Sequence, residues 1–131
     1  MKSIVFILLM FTLLPAFGQE TNEEADSKPV ILYGTASFYA NKFSGRKTAN
    51  GEIFSQEKLT AACNVLPLGT WVRVTNLRNS RSVIVKINDR MHGKMKRVVD
   101  LSRSAAQKLN FIRSGLTKVK VEVLENKNPE N

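Results

Sequence analysis

The sequence predicts a small closed β-barrel, mainly β with one short helix, and three observations carry that prediction. Five or six short segments show strand patterning, turn signals stand between them, and a helical period occurs only once, late in the chain. From residue 30 to 124 the composition is Val, Ile, Leu and Phe alternating with Lys and Arg, a span that suits one domain. A domain of that size buries roughly 60–70% of its unfolded surface, enough for a single core.

Ile31 to Ala40 (ILYGTASFYA) is rich in β-branched and aromatic residues, and Gly34 inside it predicts a strand with a bulge or a close backbone approach. Residues 41–52 read as a loop. Its last part, Gly45 to Glu52 (GRKTANGE), holds two cations, a hydroxyl, an amide and a carboxylate with neither helical nor strand period. Asn50-Gly51 is a turn signal, because both residues tolerate positive φ, and it sets Glu52 at the lip of the next segment. Leu59 to Ala62 reads as a brief strand, ended by Asn64 and the turn around Pro67-Leu68-Gly69. Thr70 to Leu77 alternates Trp71, Arg73 and Thr75 against Val72, Val74 and Asn76. A turn at Arg78-Asn79-Ser80 leads into Ser82 to Asn88, dense enough in apolar residues for an interior strand, which Asp89-Arg90 closes.

Residues 91–96 form a basic loop, and Arg97 to Leu101 resumes strand character. Ser102 is placed to cap a short helix ending at Leu109, with Ala105, Ala106 and Leu109 on one face. Asn110 tolerates the left-handed conformation that stops it. Thr117 to Leu124 alternates Val119, Val121 and Val123 against Lys118, Lys120 and Glu122, a strand with one wet face.

The ends are of another kind. Lys2, the apolar run Ile4 to Leu14 and Ala16-Phe17-Gly18 make residues 1–18 a secretory signal peptide. The apolar run is too short for a comfortable span of ~20 residues. No cysteine stands near the cleavage site to take a lipid. The expected product is an exported chain of the periplasm or cell envelope, not a lipoprotein, touching membrane only transiently through its signal. Residues 19–29 read as a disordered acidic leader and 125–131 as a polar tail.

The formal charge of +9 favours polyanions. Nucleic acid is disfavoured as the partner, because the signal peptide directs the chain elsewhere and no recognition motif is present. An anionic envelope accounts for the charge better. Cys63 is the one cysteine, so no intramolecular disulfide forms, and by itself it reads as a small buried hydrophobe. One His and one Cys far apart build no metal site, and no cofactor is implied.

Taken in order and at these distances, GTASFYA, GRKTANGE, LTAAC-x3-LPLGT-x-VRVTN, VKINDR and RVVDLS-x2-AAQKL resemble the double-psi β-barrel domain of the rare lipoprotein A family. The resemblance covers nearly all of Tyr33 to Val123. It implies a six-stranded barrel with a glycan groove, the barrel of barwin-like proteins and expansins. It also implies a peptidoglycan lytic transglycosylase, which cleaves MurNAc-β-1,4-GlcNAc bonds and leaves 1,6-anhydro ends in cell-wall remodelling.

Carried over by position, the family's functional acids fall on Glu52 and Asp89, and its histidine falls on Cys63. Asp89, closing an apolar strand, is expected to act as acid and then base, with Glu52 as its partner; the two roles are interchangeable at this level. Asn50 and Arg90 are expected to bond sugar hydroxyls and Trp71 or Tyr39 to stack on a sugar face. His92, three residues after Asp89, is a substitute for the missing imidazole or an exposed loop residue. Without the resemblance, Asp89 reads as a partner of Arg90 or Arg97 or a turn cap, and Glu52 as a solvated acid. The competing function is a non-catalytic, expansin-like peptidoglycan-binding module. Either way the expected partner is the glycan strand, met by a monomer.

Overall fold

The computed structural model describes residues 28–125. The predicted signal peptide, nearly all of the acidic leader and the tail beyond Glu125 lie outside the described residues. Among the described residues there are six strands: β1 (Ile31–Phe38), β2 (Thr60–Ala62), β3 (Trp71–Asn76), β4 (Ser82–Asp89), β5 (Val99–Leu101) and β6 (Thr117–Val123). One α-helix, α1 (Arg103–Lys108), stands between β5 and β6, and a single 3-10 turn covers Asn41–Phe43.

The strands close into a barrel in the order β1-β5-β2-β4-β3-β6, so none has a free edge to pair with another chain. Two of the pairings, β1 with β5 and β2 with β4, are parallel. The other four are antiparallel. Alternation decides which side chains go inside: β3 buries Val72, Val74 and Asn76 and turns Trp71, Arg73 and Thr75 outward. Val83, Val85 and Ile87 of β4, Val99 and Leu101 of β5, and Val119 and Val121 of β6 complete the core with Ala105, Ala106 and Leu109 of the helix. Asn76 is buried but satisfied: its amide donates to the Leu109 carbonyl at 2.8 Å and its oxygen accepts from the Thr117 hydroxyl at 2.8 Å.

The predicted caps are in place. Ser102 accepts a hydrogen bond from the Ala105 amide and starts the helix, while Asn110 adopts φ 56° just past its end. Gly34 marks a close approach, since a Cβ there would lie 2.9 Å from that of Val98. The β1–β6 register runs through it without a shift, so there is no bulge at Gly34.

The bulge lies instead in β4. Along the parallel β2–β4 ladder Ala61 faces Ile87, but Ala62 faces Asp89, and Asn88 is the extra residue. Strict alternation would carry Asp89 to the core side with Val83, Val85 and Ile87. One inserted residue changes the parity and re-aims the carboxylate outward.

Candidate functional site

The outer surface of β2 and β4 is covered in part by the loop that the sequence singled out. Gly45 and Phe54 are joined by an amide-to-carbonyl bond of 3.0 Å, Phe54 and Arg46 by one of 2.7 Å, and Thr48 and Glu52 by one of 2.8 Å. Gly51 takes φ 89°, as the Asn50-Gly51 turn requires. Phe54 anchors the loop by stacking on Tyr39, with ring centroids 4.1 Å apart. The Asn50 amide reaches the Asn88 carbonyl at 3.2 Å, so the loop sits directly on the bulge.

Two grooves open beside this loop. The first, about 670 Å³, is lined by Glu52, Thr60, Trp71, Ile84, Lys86 and Lys108 among others. Glu52 Oε1 is 2.6 Å from Lys86 Nζ, and the Asn50 side-chain amide donates to the same oxygen. Asn50 is itself held by the Thr48 hydroxyl, which donates to its oxygen at 2.6 Å. The Lys86 ammonium first, and the Asn50 amide second, hold the Glu52 carboxyl below the usual carboxylate range.

The second groove, about 600 Å³, is lined by Tyr39, Asp89, Arg90, His92, Arg97 and Asp100 among others. Asp89 accepts three hydrogen bonds: Oδ1 from the amides of Ala49 and Arg90, both at 2.9 Å, and Oδ2 from the Tyr39 hydroxyl at 2.7 Å. Burial and the Asp89 carboxylate push the Tyr39 phenol well above its ordinary value, so it acts as a fixed donor. Asp100 accepts from the Ser37 hydroxyl at 2.7 Å. Burial is the largest cause that pushes the Asp100 carboxyl upward, Asp89 adds to it, and Ser37 and Arg97 oppose it.

These groups form one row across the sheet. Ser37 pairs with Asp100, Asp100 with Ala62, and Ala62 with Asp89. The two acids therefore flank a single alanine, from β5 on one side and β4 on the other.

The predicted site residues separate by position. Glu52, Asn50 and Trp71 gather at the first groove, with Trp71 half-buried in its wall. Asp89, Arg90, Tyr39 and His92 gather at the second, His92 on its exposed rim. One loop joins the two sets, donating Ala49 N to Asp89 and presenting Glu52 to Lys86. Tyr39 offers its hydroxyl rather than its ring, for it is 7% exposed and has Phe54 on one face. The Arg90 guanidinium is committed to the backbone, donating to the carbonyls of Cys63 and Leu66. Cys63 lines neither groove: its side chain is fully buried in the main core, on the opposite side of the strand from Ala62. Only its backbone reaches the site, through its amide on the Asp89 carbonyl at 3.0 Å.

Asp100, Lys86 and Ser37 were not among the candidates. A signal for Asp100 exists in Val99-Asp100-Leu101, where two core residues bracket an acid and alternation turns it outward. Lys86 has the same signal between Val85 and Ile87.

Comparison with known proteins agrees with this architecture. The profile of a family described as "Lytic transglycolase" matches residues 32–121. The endolytic peptidoglycan transglycosylase RlpA of Pasteurella multocida is 52% identical over 110 residues, 84% of this chain and 37% of that one. The protein of the same name from Pseudomonas aeruginosa strain UCBPP-PA14 is 48% identical over 100 residues, 76% of this chain and 29% of that one. The chain thus spans about a third of the length of these relatives. Among solved structures, a Clavibacter michiganensis expansin has a TM-score of 0.61 at 19% identity, over 76% of this chain and 54% of that one. The Streptomyces papain inhibitor has a TM-score of 0.60 at 19% identity, over 73% of this chain and 96% of that one. At that identity the likeness concerns the barrel alone. With most of the chain matched by the profile and half of the aligned positions identical to those relatives, this protein belongs to the RlpA-like lytic transglycosylase family of double-psi β-barrels.

Proposed function

We propose that this chain is an endolytic peptidoglycan transglycosylase of the cell envelope, which cuts MurNAc-β-1,4-GlcNAc bonds and leaves 1,6-anhydro-MurNAc ends. The observation that carries the reading is the arrangement of carboxylates along one outer face of the barrel. Family membership supports the reaction class, since relatives that align with most of this chain bear that name.

The reaction needs negative charge beside an oxocarbenium-like C1 and a proton for the departing oxygen. The sugar's own C6 hydroxyl then closes on C1. Asp89 is the carboxylate facing C1, because both its oxygens serve as acceptors and three donors fix its orientation. Glu52 stays charged beside Lys86 and orients the strand further along, where Trp71 offers an apolar face to a sugar ring. Arg90 shapes the groove through the backbone, and Cys63 takes no part in the chemistry. The exported, monomeric form fits a glycan strand as partner, in keeping with the signal-peptide reading of residues 1–18.

Incubating the purified chain with peptidoglycan sacculi and analysing the soluble fraction by mass spectrometry tests this. Anhydromuramyl-ended fragments are expected. Pelleting with sacculi without such fragments would overturn the reading in favour of a binding module of expansin type.

A further inference from the structure

Cleavage at a glycosidic oxygen needs a proton donor, and neither acid singled out from the sequence is built as one. Glu52 is held ionised by Lys86 and Asn50. Asp89 receives two amide N–H groups on one oxygen and a phenol on the other. Asp100 is different. It accepts one hydroxyl, that of Ser37, and stands half-buried in the same groove as Asp89.

Its position in the row supplies the geometry. Asp100 and Asp89 both pair with Ala62, from opposite sides. Two strand spacings of ~4.8 Å put their Cα atoms roughly 10 Å apart. Ala62 places only a methyl group between them, buried beneath Tyr39 and Phe54, and the two carboxyls line one groove from either side of it.

We propose that Asp100 is the proton donor of the glycan cleavage, acting opposite the Asp89 carboxylate; the assignment rests on the transglycosylase reading above. The Asp100 proton passes to the glycosidic oxygen as the C1–O bond breaks, and the bonding pair stays on that oxygen. Asp89 supports the positive charge left at C1. The C6 hydroxyl oxygen bonds to C1 and its proton returns to Asp100, so the enzyme ends as it began and no co-reactant is consumed. The surroundings suit the role: burial and Asp89 on β4 favour the protonated acid, while Ser37 on β1 and Arg97 before β5 temper it. Tyr39, Lys42, Arg90 and His92 complete the titratable and charged lining of the groove around the pair.

Asp100→Asn keeps the side chain's shape and an oxygen for the Ser37 hydroxyl, so thermal unfolding should be cooperative as in the native chain. It should release ~10²–10⁴-fold fewer anhydro ends from sacculi while still pelleting with them. On a MurNAc-terminated oligosaccharide with a 4-nitrophenyl leaving group, which departs as the phenolate without a proton and leaves the C6-hydroxyl proton to solvent, it should lose far less activity than on sacculi. Ser37→Ala removes a bond that favours the ionised form, so the alkaline limb of the pH–activity profile should move to higher pH. An active native chain with an unimpaired Asp100→Asn, with equal losses on both substrates, or with an unmoved limb in Ser37→Ala overturns this assignment alone. A native chain that yields no anhydro ends overturns the transglycosylase reading and the assignment with it.

Discussion

The groove around Glu52 and the groove around Asp89 share the outer surface of β2 and β4 and one covering loop, yet they treat acids in opposite ways. At the first, a lysine meets a carboxylate that is more than a third exposed, and the pair is stable in its charged form. At the second, two carboxyls share a partly buried pocket, and the one with a single hydroxyl donor is pushed toward its neutral form. Charge compensation makes a surface that holds a ligand. Unequal hydration of two like groups makes a surface that can move a proton.

The contrast can be broken most sharply at Asp89. Asp89→Asn replaces an acceptor oxygen by an amide N–H that faces donors, so release of anhydro ends should fall by on the order of 10²–10³, with binding to sacculi retained. Next is the buried position between the acids: Ala62→Leu overpacks the cluster with Tyr39 and Phe54 and displaces the Tyr39 hydroxyl from Asp89. Activity should fall by on the order of 10²-fold, and denaturant unfolding should show a loss of about 1–3 kcal/mol.

Cys63→Ser sharpens the comparison from the core side. A buried hydroxyl without a partner should cost about 1–3 kcal/mol in urea unfolding, while activity per folded molecule stays native. The smallest effect belongs to Lys86→Met. An ion pair this exposed contributes about 0–1 kcal/mol, read as a small drop in Tm at neutral pH. Because the Glu52 pKa is lowered by folding, its contribution is present above the unfolded value of roughly 4.3 and fades as pH falls through the folded one. Asp100 has the opposite sign. Its raised pKa means the native state binds more protons, so stability falls as pH rises past the unfolded value of roughly 3.9. Asp100→Asn should therefore melt higher than the native chain at neutral pH and no higher at acid pH.

Much of this was legible in the residues. Trp71 to Asn76 and Thr117 to Val123 bury one residue in two because their apolar residues recur at that period. Ser102 and Asn110 mark the helix ends because a hydroxyl satisfies a free amide and an asparagine tolerates positive φ. The site was legible in part. Glu52 and Asp89 stand out through linked motifs, but their division between two grooves depends on where β2 and β4 meet. That pairing joins residues far apart in sequence, and no local pattern encodes it. Asn88 gives no sign that it is a bulge, since bulges are a property of two strands and not of one. Asp100 escapes a reading of the sequence because an acid between two apolar neighbours is an ordinary outward residue until the strand beside it is known. Position in a motif puts Cys63 at the groove, whereas alternation from Ala61 through Ala62 already turns it inward.

The row of Ser37, Asp100, Ala62 and Asp89 also has a kinetic meaning. Ser37 meets Asp100 across 63 positions and Tyr39 meets Asp89 across 50, so the groups proposed to handle the proton are assembled by long loop closures. Contacts of that kind form late and slowly compared with hairpins such as β3–β4. No single hairpin can hold the two acids side by side. In refolding, activity should return only with the final closing phase, after most of the antiparallel hairpin signal has recovered.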